Sequence, residues 1–162
     1  MNTINKIIVL IAAVLLVASV HAEPALAAAQ PVAPVCQSRE QVIKKRSKKL
    51  IGLASNAMEV FDRVANRTGN IYASRVARQG KTVPNYQALV TQLNGNKAAT
   101  VSLLNQAKVT AAKFSCAAGN PQASVTQFHD EMGAVKNALQ NYRVSIHNLI
   151  AAVAKVNGEN IQ

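Results

Sequence analysis

The residues that decide the fold of this chain are 121–157, with the sequence PQASVTQFHDEMGAVKNALQNYRVSIHNLIAAVAKVN. Apolar side chains recur there at alternating intervals of three and four residues over more than four heptads, which is typical of a long helix with coiled-coil-like packing. Asn120 and Pro121 suit the cap and first position of a helix, and Gly158 suits its end. The repeat comprises Val125, Phe128, Met132, Val135, Leu139, Tyr142, Ile146, Leu149, Val153 and Val156.

A similar repeat predicts a first helix over residues 38–78. Ser38 and Gln41 have the spacing of a capping box, and Gly80 is a natural stop after the last turn. Gly69-Asn70 marks a place where this helix could break or kink. We expect its buried stripe to contain Ile43, Leu50, Leu53, Ala57, Val60, Val64 and Ile71, with Arg46, Arg67, Ser74 and Arg78 at the in-register polar positions.

A second helix is predicted over residues 84–115, with Pro84 in its first turn, where a missing amide hydrogen costs nothing. Its stripe is the weakest of the three because three members are polar: Tyr86, Leu89, Leu93, Asn96, Thr100, Leu103, Ala107, Thr110 and Phe114. No strand-like alternation occurs, and short connections make consecutive helices antiparallel. The predicted fold is therefore all-α: an elongated antiparallel three-helix bundle with coiled-coil-like packing and one disulfide.

The N-terminal region has the composition of an export signal. Lys6 precedes an apolar run over residues 7–20, and Val20-His21-Ala22 resembles a cleavage site, so residues 1–22 are predicted to be a signal peptide. Cleavage within residues 25–29 and retention as an anchor are the alternatives, although a run of fourteen residues falls short of the roughly 20 that span a bilayer. Residues 23–37 are expected to be an Ala/Pro-rich extended linker, and residues 158–162 a tail.

The two cysteines are predicted to form a disulfide. The first helix starts just after Cys36 and the second ends at Cys116, so an up-down hairpin would bring the two together, with α carbons within about 7 Å. A cysteine pair in an exported chain usually forms a disulfide. A metal or redox pair is the alternative, but the spacing is wide and no histidine lies beside either cysteine in the sequence. Cys36 is not a lipidation site, because Pro34 and Val35 precede it.

Basic residues are concentrated in the first helix region. The chain has 18 Lys and Arg against 7 Asp and Glu, and removal of Lys6 with the signal peptide leaves 17 against 7, a net charge of +10. Residues 39–81 alone hold eleven basic and three acidic residues. The densest run offers a polyanion-contact surface, called the basic flank here: Lys44, Lys45, Arg46, Lys48 and Lys49. The alternative is a solvated, solubilising helix face.

The chain contains a set of short helical motifs: Cys36-x-x-Arg39, Ile43-x-x-Arg46, Phe61-Asp62-Arg63-Val64-x-x-Arg67, Tyr72, Leu89-x-x-x-Leu93, Phe114-x-Cys116 and Val135-Lys136-x-x-Leu139-x-x-Tyr142-Arg143. Together they resemble a family of small secreted helical proteins common in candidate-phyla (ultrasmall) bacteria. The likeness extends from Cys36 to Val156, although the second helix is richer in Asn, Ala and Thr than the charged helix typical of the family. The resemblance implies export, a three-helix layout and a cysteine pair, and it implies no activity.

Titratable residues do not form a convincing reactive site in the sequence. His129 and His147 lie off the main stripe of the third helix, and consecutive His129-Asp130-Glu131 side chains point around a helix rather than converging. Asp62 with Arg63 and Arg67, and Asp130-Glu131 with any base, are expected to be surface ion pairs of at most about 1 kcal/mol each. Tyr72, Tyr86 and Tyr142 are expected at the core edge with hydrated hydroxyls.

The sequence therefore favours a non-enzymatic structural or interaction protein of the cell envelope or exterior. No catalytic residue, cofactor site, metal site or small-molecule substrate is predicted. The partner expected for such a bundle is another helical protein or an envelope polyanion. The alternative function is a polyanion-binding module that contacts envelope polymer, anionic lipid or DNA through the basic flank.

Overall fold

A computed structural model describes residues 32–158, with side chains from residue 35 onward. Helix α1 spans Val32–Ile71 and continues into a π-helical turn, Tyr72–Val76, and a 3₁₀ turn, Ala77–Gln79. Helix α2 spans Tyr86–Lys113 and α3 spans Pro121–Asn157. Residues 32–158 contain no strand, so the predicted all-α three-helix fold is confirmed. The predicted signal peptide and residues 159–162 lie outside the described residues.

Helix α1 begins earlier than the sequence suggests. The predicted linker, residues 23–37, is helical from Val32 onward, and Pro34 is tolerated because the amides of a first helical turn have no intrahelical acceptor. The predicted capping box at Ser38 is also wrong, because the helix has already begun at Val32. Ser38 lies within the helix, and its hydroxyl donates backward to the carbonyl of Val35 at 2.9 Å.

The other end of α1 changes its winding without breaking at the predicted place. The α-helix runs through Gly69 and Asn70 and widens only at the π-helical turn. Val76, the last residue of that turn, has no exposed surface. Gly80 then ends the helical path with φ of 71°, a left-handed conformation that glycine adopts without a Cβ penalty, so the predicted stop is confirmed.

The starts of α2 and α3 are capped differently. Asn85 adopts φ of 58° before α2, so Pro84 lies in the preceding turn and not in the helix as predicted. At α3 the expected arrangement is confirmed: the Asn120 side chain accepts a hydrogen bond from the Ala123 amide at 2.9 Å, and Pro121 occupies the first helical position.

Contacts between the helices establish their directions. The Cys36–Cys116 disulfide joins the start of α1 to the segment after α2, with α carbons 5.5 Å apart, which confirms the predicted bridge and the antiparallel pairing. Asn96 of α2 donates to the Asn141 carbonyl of α3 at 3.3 Å, and Thr110 nearer the end of α2 bonds Glu131 nearer the start of α3. Helices α2 and α3 are therefore antiparallel, and α1 and α3 run in the same direction.

The core consists of two clusters along the helices, both with members from all three helical segments. The cluster nearer the disulfide contains Ala54, Met58, Leu104, Ala107, Phe128 and Val135. The cluster nearer the α1–α2 connection contains Val76, Val83, Leu93, Tyr142, Ile146, Leu149 and Val153. The predicted stripe of α3 is buried or half-buried except for Val125, and that of α2 is likewise buried or half-buried throughout.

The predicted stripe of α1 is wrong over its middle part, because four residues expected in the core are exposed: Leu50, Leu53, Val60 and Val64. Ile43 and Ile71 are half-buried and face the bundle as predicted. Between them, the side chains that pack inward follow the predicted positions by one residue: Ser47, Ile51, Ala54, Met58, Phe61, Ala65 and Thr68. On this inner face the Thr68 hydroxyl donates a hydrogen bond to the Val64 carbonyl at 2.9 Å, so it is not left unpaired by its burial.

Candidate docking groove between α1 and α3

The exposed stripe of α1 is an apolar surface that the bundle does not cover. We call Leu50, Leu53, Val60 and Val64 the exposed stripe; their exposed fractions run from 37% to 57%. They are spaced at helical intervals around half-buried Ala57, so they share one face of α1 over about 21 Å. Contiguous exposed apolar surface of this kind marks interaction sites more often than single exposed side chains do.

A groove of about 370 Å³ lies beside the exposed stripe, between α1 and α3. Its volume is within the range of ordinary ligand pockets, although it is open along one side. Helix α1 contributes the first wall and α3 the second, and α2 contributes none of the lining. The lining residues are Leu50, Leu53, Ala54, Ala57, Phe61, Met132, Val135, Lys136, Leu139, Gln140 and Arg143.

The charged residues at this groove are all basic. Lys136 and Arg143, two turns apart on α3, are exposed and are the only charged residues of its lining. On α1, exposed Arg46 and Arg67 occupy the helical positions immediately before and after the exposed stripe. The nearest acidic residue in sequence, Glu59, is turned about 100° around α1 from Val60. The site therefore combines an apolar floor with a cationic rim.

A buried tyrosine supports the floor of the groove. Tyr142 of α3 has no exposed surface, and its ring meets that of Phe61 edge to face, with centroids 5.8 Å apart. Its hydroxyl donates to Asp62 Oδ1 at 2.6 Å, while Lys97 Nζ of α2 lies 2.9 Å from Asp62 Oδ2. This three-helix network corrects two expectations: the Tyr142 hydroxyl is not hydrated, and Asp62 pairs with Lys97 rather than with Arg63 or Arg67.

The network shifts the pKa values of its members in opposite directions. Burial raises the pKa of Tyr142, and the Asp62 carboxylate raises it further, because both oppose the phenolate. Partial burial alone would raise the pKa of Asp62, but hydrogen bonds from Tyr142 and Lys97 outweigh it and leave the pKa lowered. At neutral pH the phenol is therefore protonated and the carboxylate ionised, which is the arrangement that the hydrogen bond requires.

The basic flank lies nearer the disulfide. Lys45, Arg46, Lys48 and Lys49 are exposed, whereas half-buried Lys44 forms an ion pair with Glu40. Glu40 also accepts the Cys116 amide at 3.1 Å. Hydrogen bonds from Lys44 and then from Cys116 lower the pKa of Glu40 despite some desolvation. Lys44 is thus paired with a carboxylate that contacts the segment after α2, and the remaining four residues form the exposed part of the basic flank.

The acidic residues at the start of α3 are not the surface pair that the sequence suggests. Glu131 is buried, and its Oε1 accepts hydrogen bonds from Thr110 and Gln127, each at 2.9 Å. Its Oε2 is buried without a hydrogen-bond partner. His129 and Asp130 are strongly exposed, and His129 Nδ1 lies 3.6 Å from Asp130 Oδ1. Among residues 32–158, no group of three His, Cys, Asp or Glu side chains is placed to hold a metal ion.

No family model, curated protein or solved structure matches this chain. Within the described part of the chain, no helix is long and apolar enough to cross a bilayer. Sequence reasoning missed this site because it assigned the exposed stripe to the core; the available signal was a second apolar face on α1, adjacent to the first.

Proposed function

We propose that this chain is an exported, non-enzymatic interaction protein that docks a partner in the groove between α1 and α3. The observation that carries the proposal is the exposed stripe, whose four large aliphatic side chains flank an apolar groove in an otherwise packed bundle. Such a surface is costly to leave in water unless something covers it. The disulfide supports an oxidising compartment, in keeping with export.

The scaffold suits docking because it holds the groove walls in place. Tyr142 fixes the floor from beneath, through its ring contact with Phe61 and its hydrogen bond to Asp62. The disulfide ties the start of α1 to the end of α2. A surface that is ordered before binding loses little entropy when the partner arrives.

The groove should bind an apolar anionic dye, 1-anilinonaphthalene-8-sulfonate, at one saturable site on the folded protein. Replacing Leu50 and Leu53 with Asn (L50N/L53N) should weaken binding about tenfold, because two half-exposed leucines contribute roughly 1.5 to 3 kcal/mol of apolar burial. Fluorescence titration, with circular dichroism to confirm the fold, measures this change.

The matched control is V109N/V144N, which alters two aliphatic residues of similar exposure, 50% and 56%, against 46% and 57% for the leucines. Neither valine lines the groove. The dye affinity of V109N/V144N should equal that of the unmodified protein. Equal loss in both double variants, or no saturable binding at all, would show that the groove is not a binding surface.

A second candidate function is polyanion binding, favoured by the exposure of Lys45, Lys48 and Lys49 in the basic flank. The variant K45Q/K48Q/K49Q should change the unfolding free energy by less than about 0.5 kcal/mol per site, since these side chains are solvated. If the flank binds a polyanion, the variant should lose most of that affinity, and binding by the unmodified protein should fall steeply with salt.

The titration uses phosphatidylglycerol vesicles, teichoic-acid-like polymer and duplex DNA as separate probes. The control variant K108Q/K113Q/K155Q removes three exposed lysines elsewhere and has the same net charge. Equal binding by the two triple variants would mean that the basic flank only keeps the protein in solution and does not bind a polyanion. Selective, salt-sensitive binding of one probe, lost only in the flank variant, would establish this second function.

A further inference from the structure

We infer that the occupant of the groove between α1 and α3 is an amphipathic helix with acidic residues flanking its apolar stripe. The inference rests on the proposed docking function and specifies the chemistry of the partner. Two features of the site lead to it: the helical spacing of the exposed stripe, and the basic residues that line the groove and stand at the two ends of the stripe.

The spacing of the exposed stripe suits a helix better than a small ligand. From Leu50 to Val64 the apolar positions alternate by three and four residues, the repeat that two packed helices use for interlocking side chains. The stripe is about 21 Å long, four helical turns, and so extends beyond the portion of α1 that lines the groove. A row of alternate side chains from one partner helix could fill the groove while its neighbours cover the stripe.

The basic rim of the groove favours a partner helix with acidic side chains. Lys136 and Arg143 stand on the α3 side, and Arg46 and Arg67 stand at the two ends of the stripe on α1. A second copy of this chain would place its own basic rim against these residues, and like charges across an interface oppose association. Acidic side chains flanking the apolar stripe of a partner would instead meet opposite charge along the α3 side and at the two ends of the stripe.

The test uses three labelled synthetic peptides of three heptads each, identical in their leucine stripe. They carry Glu, Gln or Lys at the positions flanking that stripe. Fluorescence polarisation against the full disulfide-bonded protein should show the Glu peptide binding about tenfold tighter than the Gln peptide, with the Lys peptide weakest. High salt should narrow the difference, because exposed charges are screened.

Charge reversal gives the sharpest version of the experiment. In K136E/R143E the order of the peptides should invert, with the Lys peptide now favoured over the Glu peptide. The control K108E/K155E makes the same change in net charge at exposed sites outside the groove, and it should keep the original order. A Glu peptide whose leucines are moved off the heptad positions should not bind.

Each other result assigns the groove differently. Equal affinity for the Glu and Gln peptides would overturn the acidic inference and keep a helix-docking groove. Dye binding without peptide binding would overturn the helix and keep the apolar site. If the protein sediments as a dimer and L50N/L53N abolishes the dimer, the occupant of the groove is a second copy of this chain. If the protein binds phosphatidylglycerol vesicles through the groove but binds no peptide, the occupant is a lipid surface. Failure of the dye and of all peptides would overturn the docking function itself.

Discussion

Removal of the Cys36–Cys116 disulfide is expected to lower the unfolding free energy by about 4 kcal/mol. The bridge joins residues 80 apart in sequence, so it removes a large part of the freedom of the unfolded chain. For a domain of this size the midpoint of thermal unfolding should fall by about 15 °C. Helix content at low temperature should be almost unchanged, because the helices pack through the two core clusters on their own.

The measurement is thermal and urea unfolding by circular dichroism of the oxidised protein, the reduced protein and C36A/C116A. The reduced protein and the double variant should agree, and the reductant should have no effect on the double variant, which is the control. Two free thiols in the purified oxidised protein, or a loss below about 1 kcal/mol, would contradict the expected role of the bridge.

The disulfide was predictable because helix order and cysteine position are both visible in the sequence. An up-down pair of helices places Cys36 near Cys116 whatever the details of side-chain packing, and the 5.5 Å separation of their α carbons agrees. The third helix was predictable for a related reason. Its one apolar stripe has polar side chains around it, so its 3-4 spacing admits a single inward face.

The register of α1 was not predictable because this helix has two apolar faces side by side. Periodicity favoured the face with the larger aliphatic residues, including Leu50 and Leu53. The bundle instead buries the adjacent face, which includes Ala54, Met58 and Thr68. Spacing identifies helical faces, but which of two neighbouring faces turns inward depends on the shapes of α2 and α3.

That same ambiguity hid the candidate site. Once the larger aliphatic residues of α1 were assigned to the core, no row of apolar side chains remained on the predicted surface to suggest docking. The polar network under the groove was not predictable for another reason: its members are far apart in sequence and meet only when the three helices pack, namely Asp62, Lys97 and Tyr142. The π-helical turn Tyr72–Val76 likewise has no mark in the sequence that we can identify.

Truncation of Tyr142 to Ala should destabilise the protein by about 3 to 5 kcal/mol, the usual cost of removing a large buried ring. The ring has no exposed surface, and its loss would leave a cavity behind Phe61 and remove a donor from Asp62. The total unfolding free energy of a small domain is only about 5 to 15 kcal/mol, so this variant could fail to fold. Y142F keeps the ring and isolates the hydroxyl.

Y142F should cost about 1.5 kcal/mol, the lower part of the range for a hydrogen bond to a charged group. Lys97 remains paired with Asp62, and the 31% exposed carboxylate side chain can recover some hydration. Urea unfolding of Y142F, D62N and Y142F/D62N forms a double-mutant cycle that measures the coupling. The matched control is Y86F, since Tyr86 stacks on Tyr72 and takes no part in the network. No coupling between Tyr142 and Asp62 would mean that the hydrogen bond contributes nothing.

The pH dependence of Y142F should identify the same bond independently. Because the folded pKa of Tyr142 is raised, its contribution is present below the unfolded value of about 10 and is lost as pH rises above it, by up to about 1.4 kcal/mol per pH unit. Because the folded pKa of Asp62 is lowered, its contribution to stability is present above the ordinary unfolded pKa of 3.8 and is lost as pH falls through the folded pKa. Phenylalanine cannot ionise, so Y142F should lose stability less steeply than the unmodified protein above pH 10. It should also be less sensitive to acid, since Asp62 then has one fewer donor holding it ionised. Parallel stability curves for the two proteins at both extremes would show that the Tyr142 hydroxyl does not interact with Asp62 in the folded state.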